Sequence, residues 1–276
     1  NDEVLLFRKE ENFKRLNQSA VRLSIPEIPE DVFMSGLTEL LKLDSEWCKA
    51  DDGYSLYIRP FIFASSEWIK ASSSDEFTFM IITSPTINYY PGSIDLVIEQ
   101  HFSRAANGGV GYAKAAGNYA GSFYPTKRAN ARGFTQVIWT DSKEHKYIEE
   151  SGTMNIWFRI DNKLITPSLS DSILGGITRD SILKLAIDAE IDVEERIVSV
   201  DEILEASKNG TLQEAFGTGT AVTVVAVKSI TLEDIKMNIP AQENPISMRF
   251  KKQLQDFQYG RSEDIFNWTS KVPSRI

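Results

Sequence analysis

One lysine lies in the middle of a stretch of small residues. Residues 109–119 read Gly-Val-Gly-Tyr-Ala-Lys-Ala-Ala-Gly-Asn-Tyr, which places Lys114 between alanines and Tyr119 five residues after it. A lysine amine attacks a carbonyl carbon only after it has lost its proton, and uncharged, tightly packed surroundings favour that loss. The pattern therefore predicts that Lys114 forms a Schiff base with an aldehyde.

Pyridoxal phosphate is the common aldehyde cofactor that a lysine holds in this way, and it requires three further protein groups. Its phosphate requires backbone N–H donors, which the N-terminus of a helix supplies. Gly175 and Gly176 precede a helical pattern and predict such a site, and residues 216–221 form a second loop of small residues that could add amides and hydroxyls. Each loop alone is also typical of an ordinary turn or connection.

The other two groups are an acid for the pyridine nitrogen and a hydrogen-bond donor for the phenolic oxygen. Glu149 and Glu150 are adjacent, and strand alternation would send them to opposite faces, so that one points inward while the other stays solvated. A buried carboxylate is costly without a cationic partner, and a pyridinium is such a partner. Tyr119 is the candidate for the phenolic oxygen.

Four of these segments together resemble the branched-chain amino acid aminotransferases, a fold-type IV pyridoxal-phosphate family. They are residues 114–119, 150–155, 176–179 and 216–221, and they occur in the family's order and at compatible spacing. Residues 55–60, Ser-Leu-Tyr-Ile-Arg-Pro, also match and favour the branched-chain enzymes over other fold-type IV members.

The resemblance implies an α+β fold of two domains. A small α/β domain, incomplete here, would occupy residues 1–84, and a larger, mixed β-barrel-like domain with flanking helices would occupy residues 93–276 and bind the cofactor. Two prolines and a glycine lie within residues 85–92, which are predicted to link the domains.

The resemblance also implies a role for each matching residue. Lys114 would carry the cofactor and move the proton of the reaction, Tyr119 would bond the phenolic oxygen, and Glu150 would pair with the pyridine nitrogen. The implied cofactor-binding residues are Arg15, Lys114, Tyr119, Glu150, Ile177, Thr178 and Thr220. The implied substrate-binding residues are Tyr57, Arg59, Tyr89, Thr153, Thr220 and Ala221.

The implied activity is the transfer of the amino group of leucine, isoleucine or valine to 2-oxoglutarate in a homodimer. The alternatives left open are a D-amino acid aminotransferase, an aminodeoxychorismate lyase, and a non-catalytic truncated form. The last arises because family members have a stretch before Phe7-Arg8 that this sequence lacks. Its absence is expected to expose apolar surface in the small domain and to open the pocket to water.

Composition excludes several other classes of protein. The 276 residues carry a formal net charge of -9, which disfavours a nucleic-acid partner. Cys48 is the single cysteine, and there are two histidines, so that a disulfide, a thiolate zinc site and a histidine-rich metal centre are not expected. No apolar run reaches the length of about 20 residues that a membrane helix needs. The polar start and the lone cysteine predict a cytoplasmic protein without a signal peptide.

Hydrophobic periodicity and turn residues predict the remaining elements. Ser199 opens a capping box, and Asp161-Asn162 predicts a hairpin turn. Predicted helices cover residues 31–47, 122–132, 179–189, 199–209 and the apolar stripe of 246–257. Predicted strands cover residues 55–63, 77–83, 136–139, 154–160, 163–166 and 221–227, and the second and the last of these are expected to be buried.

Overall fold

The computed structural model describes residues 3–87, 90 and 92–273. Its helices are α1 Lys9–Arg22, α2 Glu30–Asp44, α3 Ala116–Ala131, α4 Ile177–Asp188, α5 Val200–Lys208 and α6 Ile246–Gln258. Its strands are β1 Leu5–Phe7, β2 Ser55–Ala64, β3 Phe77–Thr86, β4 Ile94–Ile98, β5 Gln136–Thr140, β6 Ile148–Ser151, β7 Asn155–Ile160, β8 Lys163–Pro167, β9 Val193–Arg196, β10 Leu212–Gly219, β11 Thr223–Leu232, β12 Ile235–Asn238 and β13 Thr269–Lys271.

The chain forms two compact units. One unit consists of Asn1–Tyr89 together with Gln255–Ile276, and the other is Tyr90–Leu254. The boundary between Tyr89 and Tyr90 falls inside the stretch predicted as a linker, although β3 extends to Thr86. The C-terminal residues belong to the first unit and not to the large domain to which the sequence assigned them.

Strand pairing explains why the C-terminal residues join the first unit. β13 pairs antiparallel with β1, with Leu5 opposite Lys271. The backbone N–H of Arg8 donates to the carbonyl of Trp268 at 2.6 Å. The two strands of three residues each therefore close the first unit by hydrogen bonds between the ends of the chain.

The antiparallel pair β2–β3 packs against α2 on one face only. Phe79 and Ile81 contact the cluster of buried side chains that α2 contributes, whereas the alternate residues Met80 and Ile82 are exposed. The prediction that this strand is buried was therefore wrong, because side chains of a strand alternate between two faces and one face is uncovered.

The second unit is built on a mixed sheet of nine strands. The strand order is β6-β5-β4-β11-β10-β7-β8-β9, and β12 also pairs with β11. β4 pairs parallel with both β5 and β11, and β8 pairs parallel with β9, whereas the other pairs are antiparallel. The predicted α+β fold with a large mixed-sheet domain is confirmed.

Two local sequence signals act as predicted in this unit. Asp161 and Asn162 both have positive φ angles, 49° and 66°, at the turn between β7 and β8, as a two-residue hairpin turn requires. Ser199 caps α5, because its hydroxyl accepts a hydrogen bond from the backbone N–H of Glu202 at 3.0 Å.

Several element boundaries differ from the prediction. α3 begins at Ala116, six residues before the predicted start. The segment predicted as a loop of small residues is mostly the end of β10, and only residues 220–222 separate β10 from β11. Glycine and threonine are typical of turns, but here they lie in a strand that pairs on both sides.

Candidate active site

Lys114 lies two residues before α3 and contacts a side chain of that helix. Its Nζ donates a hydrogen bond to the hydroxyl of Tyr119 at 2.8 Å, and it lies 5.4 Å from the centre of the Tyr119 ring. The small residues around Lys114 predicted a tightly packed lysine. In the structure the adjacent Ala113 is buried, but Lys114 itself is exposed.

The loop before Lys114 is held by Asn118, which lies in the first turn of α3. The side-chain amide of Asn118 donates to the carbonyl of Val110 at 2.8 Å and to that of Ala113 at 2.9 Å. Asn118 is buried, so that these hydrogen bonds are protected from water. These hydrogen bonds hold the backbone just before Lys114 and so fix the point from which its side chain extends.

Glu150 lies on β6 with its carboxylate in a buried network. The backbone N–H of Leu174 donates to Oε1 at 2.7 Å, and Nε of Arg104 lies 2.9 Å from Oε2. Sequence reasoning missed Arg104. A signal was present, because Arg104 is the only charged residue between positions 102 and 113.

Both carboxylates of the Glu149-Glu150 pair are buried, with exposed fractions of 9% and 3%. The expectation that one of them stays solvated was wrong. All four residues of β6 are buried, so that both faces of this strand are covered. The hydroxyl of Ser172 donates to Oε1 of Glu149 and satisfies part of its hydrogen-bonding capacity.

Burial has the largest influence on the pKa values of both carboxyl groups. It raises the pKa of Glu150 to about 7, against the opposing effects of Arg104 and the Leu174 N–H. It also raises the pKa of Glu149, against the Ser172 hydrogen bond and Arg104. Because burial penalises the charged form, a cation beside Glu150 would stabilise its carboxylate.

Glu150 and Tyr119 line the same cavity, which opens to solvent. Thr153, one of the predicted substrate-binding residues, is also part of the wall. The lining residues are Arg104, Ala113, Asn118, Tyr119, Ser122, Glu150, Gly152, Thr153, Met154, Asn155 and Leu174.

The N-terminus of α4 is joined to this wall. Asn155 donates from its side-chain amide to the carbonyl of Leu174 at 2.9 Å, and both residues line the cavity. A Cβ at Gly176, the N-cap of α4, would collide with Oδ1 of Asn155, so that any larger residue there must displace the Asn155 side chain. Ile177 and Thr178 are the first two residues of α4, where backbone N–H groups precede the first intrahelical hydrogen bond.

The turn between β10 and β11 is packed against the same wall. A Cβ at Gly217 would lie 2.9 Å from Sδ of Met154, and one at Gly219 would lie 3.9 Å from the carbonyl oxygen of Thr153. Thr220 and Ala221 follow in the turn and are exposed. Close packing against Met154 therefore explains the glycine at 217, whereas a Cβ at Gly219 would make only ordinary contacts.

The remaining predicted site residues belong to the first unit. Arg15 lies on α1 and donates to Oδ1 of Asn12 at 3.2 Å. Tyr57 and Arg59 lie on one face of β2, with the guanidinium 5.4 Å from the centre of the tyrosine ring. Tyr89 lies outside the described residues. Of this group, the structure thus brings together Tyr57 and Arg59.

The described residues contain neither a metal-binding cluster nor a membrane-spanning helix. Among residues 3–87, 90 and 92–273, no group of three or more His, Cys, Asp or Glu side chains could hold a metal ion. In that same part of the chain, no helix combines the length and the apolar character needed to cross a membrane.

Comparison with known proteins gives the family. The family model described as amino-transferase class IV matches residues 1–230. A probable branched-chain-amino-acid aminotransferase of Staphylococcus epidermidis is 42% identical over 99% of this chain and 78% of its own length. The branched-chain-amino-acid transaminase 1 of Bacillus subtilis is 41% identical over 98% of this chain and 77% of its own length. This chain is a class IV aminotransferase of the branched-chain family.

Solved structures agree with the family assignment. The branched-chain amino acid aminotransferase of Escherichia coli aligns with a TM-score of 0.80 and 26% identity, over 98% of this chain and 85% of that chain. The fold also agrees with that of the enzyme of Thermobaculum terrenum solved in its pyridoxal-phosphate form, which aligns with a TM-score of 0.79 and 24% identity, over 98% of this chain and 84% of that chain. The predictions of an aminotransferase and of pyridoxal phosphate as its cofactor are confirmed.

The residues of this aminotransferase fit that cofactor. A buried carboxylate and a phenol line one cavity, and the amine of Lys114 is hydrogen-bonded to the phenol. A helix N-terminus is joined to the cavity wall through Asn155. These are the acid, the hydrogen-bonding group and the anion site that the ring nitrogen, the phenolic oxygen and the phosphate require.

One methyl group added to the loop before Lys114 should weaken the binding of the cofactor to this aminotransferase. A Cβ at Gly111 would lie 2.5 Å from Cβ of Ala105 and 2.6 Å from Cα of Ser172, so that Gly111→Ala must displace the loop. We expect the affinity of the apoprotein for pyridoxal phosphate to fall by at least about tenfold, because small displacements at a site are costly. Titration of the visible absorption measures this affinity.

Gly117 provides the matched control for this substitution. A Cβ there has no atom within 4 Å, and the residue lies in the first turn of α3. Gly117→Ala should therefore leave the affinity unchanged. Equal affinities for the Gly111→Ala and Gly117→Ala proteins would contradict the packing argument.

Proposed function

We propose that this aminotransferase transfers the amino group of L-leucine, L-isoleucine or L-valine to 2-oxoglutarate at the cavity beside Lys114. The observation that carries the proposal is that Tyr119 and Glu150 line one cavity and Lys114 is hydrogen-bonded to Tyr119, in a chain that is 42% identical to a probable branched-chain enzyme. The names of the relatives favour this substrate class over D-amino acids and over aminodeoxychorismate.

The side chains around the cavity have separate tasks. Bound pyridoxal phosphate supplies the withdrawal of electrons from Cα of the amino acid. Lys114 would take the proton from Cα of the amino acid and deliver it to C4′ of the cofactor, since an amine is a suitable general base and acid for this transfer. The Tyr119 hydroxyl, 2.8 Å from Nζ, positions the lysine and bonds the phenolic oxygen. Glu150 holds the proton of the ring nitrogen.

The phosphate is assigned to the N-terminus of α4. The backbone N–H groups of Ile177 and Thr178 point along the helix axis, where the helix dipole favours an anion. Thr220, in the turn packed beside Met154, would add a hydroxyl. Arg15 is assigned to the same phosphate from the match of its sequence to the family.

The substrate-binding assignments rest on the family motifs. Tyr57 with Arg59, and the amides of Thr220 and Ala221, would receive the substrate carboxylate. Tyr89 would line the apolar pocket, and Thr153 lines the cavity. A homodimer and a location in the cytoplasm complete the proposal.

A panel of amino donors tests the substrate class. Each amino acid is supplied with 2-oxoglutarate, and the glutamate formed is measured. We expect turnover with L-leucine, L-isoleucine and L-valine and a rate lower by at least about 10³-fold with D-leucine, because the enantiomer presents its Cα proton away from Lys114. D-alanine is included in the panel as an amino donor for the alternative function, a D-amino acid aminotransferase.

The outcome decides among the alternatives. A higher rate with D-alanine than with L-leucine would contradict the branched-chain assignment in favour of a D-amino acid aminotransferase. Absence of turnover with every donor, in protein that binds pyridoxal phosphate, would favour the non-catalytic form.

A further inference from the structure

Arg104 is a buried charged side chain to which the proposed function gives no role. Its side chain is 8% exposed and lies against Glu150. We propose that Arg104 is a positioning residue that fixes the orientation of the Glu150 carboxylate and keeps it charged for the ring nitrogen of the cofactor. This inference rests on the proposed role of Glu150.

The two oxygens of the Glu150 carboxylate have different partners. Nε of Arg104 lies 2.9 Å from Oε2, and the backbone N–H of Leu174 donates to Oε1 at 2.7 Å. The side-chain amide of Asn155 also donates to Oε1, at 3.5 Å. Because each oxygen is held from a different segment of the chain, the plane of the carboxylate cannot rotate without breaking a hydrogen bond or an ion pair.

The guanidinium of Arg104 is itself fixed by two backbone segments. Its Nη2 donates to the carbonyl of Gly111 at 3.2 Å and to the carbonyl of Ser172. Gly111 is three residues before Lys114, and Ser172 is two residues before Leu174. Arg104 therefore joins the loop of the catalytic lysine to the segment that holds the carboxylate.

The buried negative charge of the Glu150 carboxylate also requires a cation beside it. Glu150 is 3% exposed and has Glu149, another buried carboxylate, beside it on β6. The charged groups that influence Glu150 are Arg104 and Lys114, which lower its pKa, and Glu149, which raises it. Arg104 has the largest of the lowering effects, so that its loss would favour the protonated acid, which cannot pair as an anion with the protonated ring nitrogen.

The variants Arg104→Lys and Arg104→Met separate the effects of charge and of geometry on the Glu150 carboxylate. Lysine keeps the positive charge but has neither Nε nor the planar fork, and methionine has neither charge nor hydrogen-bond donors. Arg132→Met is the control, since Arg132 is exposed just after the end of α3. Circular dichroism and thermal unfolding establish that each variant is folded.

The test is a pH titration of the apoprotein followed by NMR. The glutamate residues of the protein carry an isotope label at the side-chain carboxyl carbon. The Glu150 resonance is assigned by its absence from Glu150→Gln protein. We expect the midpoint of its titration to rise by at least about one pH unit in Arg104→Met, and by less in Arg104→Lys, as the removal of a paired charge predicts. Arg132→Met should leave the midpoint unchanged. If Arg104→Met does not fold, Arg104→Lys alone carries the test.

An unchanged midpoint in the folded Arg104 variants would overturn the inference. The titration uses neither cofactor nor substrate, so that its outcome is independent of turnover. If the midpoint shifts but Glu150→Gln protein transaminates as the parent does, the coupling of Arg104 to Glu150 stands and the proposed role of Glu150 fails.

Discussion

Lys114→Ala should lower the rate of transamination by more than about 10³-fold, because the variant lacks both the amine that holds the cofactor and the base that moves the proton. The fold should persist, since the loop is held by Asn118 through the carbonyls of Val110 and Ala113 and not by the lysine side chain. The measurement is glutamate formation from L-leucine and 2-oxoglutarate, with thermal unfolding recorded on the same protein.

Lys143 offers a matched control for this prediction. Its side chain is 88% exposed in the turn before β6, so that Lys143→Ala removes the same groups from a position outside the cavity. It should transaminate at the parent rate. A Lys114→Ala protein with more than a tenth of the parent rate would exclude Lys114 as the catalytic base.

Glu150→Gln should have the next largest effect, a fall in kcat by about 10²-fold or more, within the range for loss of a catalytic acid–base group. An amide cannot hold the ring nitrogen in its protonated form, so that the proton transfer from Cα is slowed. The cofactor affinity should change less, because the phosphate and the lysine retain their contacts. Single-turnover rates and the dissociation constant of pyridoxal phosphate measure the two effects separately.

Glu149→Gln controls for the loss of a buried negative charge. Glu149 is the neighbour of Glu150 on β6 and is buried, but it accepts from Ser172 and is not part of the cavity wall. We expect its single-turnover rate to fall by less than that of Glu150→Gln. Equal losses in both variants would show that the effect comes from the charge of the strand and not from contact with the ring nitrogen.

Local sequence signals predicted much of the site. Lys114 lies just before α3 and Tyr119 lies in it five residues later, and their hydrogen bond joins two residues that are close in the sequence. The capping box at Ser199 and the Asp161-Asn162 turn are equally local and were predicted. These features depend on residues within a few positions of each other, where the chemistry of each residue type decides the structure.

The features that sequence reasoning missed depend on distant partners. Arg104 lies 46 positions before Glu150, and nothing in either segment indicates the other. Glu149 is buried, and its hydrogen-bond donor Ser172 comes from a later segment of the chain. The C-terminal residues join the first unit through a pairing of β1 with β13 that only three residues of each strand form.

Chemical trapping of the cofactor tests the central claim most directly. Borohydride reduction of the enzyme with bound pyridoxal phosphate makes its bond to the lysine permanent, and mass spectrometry after trypsin digestion locates it. We expect the added mass on the peptide of residues 105–127, since trypsin does not cleave at a modified Lys114. A label on any other lysine, or none in protein that binds the cofactor and is active, would contradict the account.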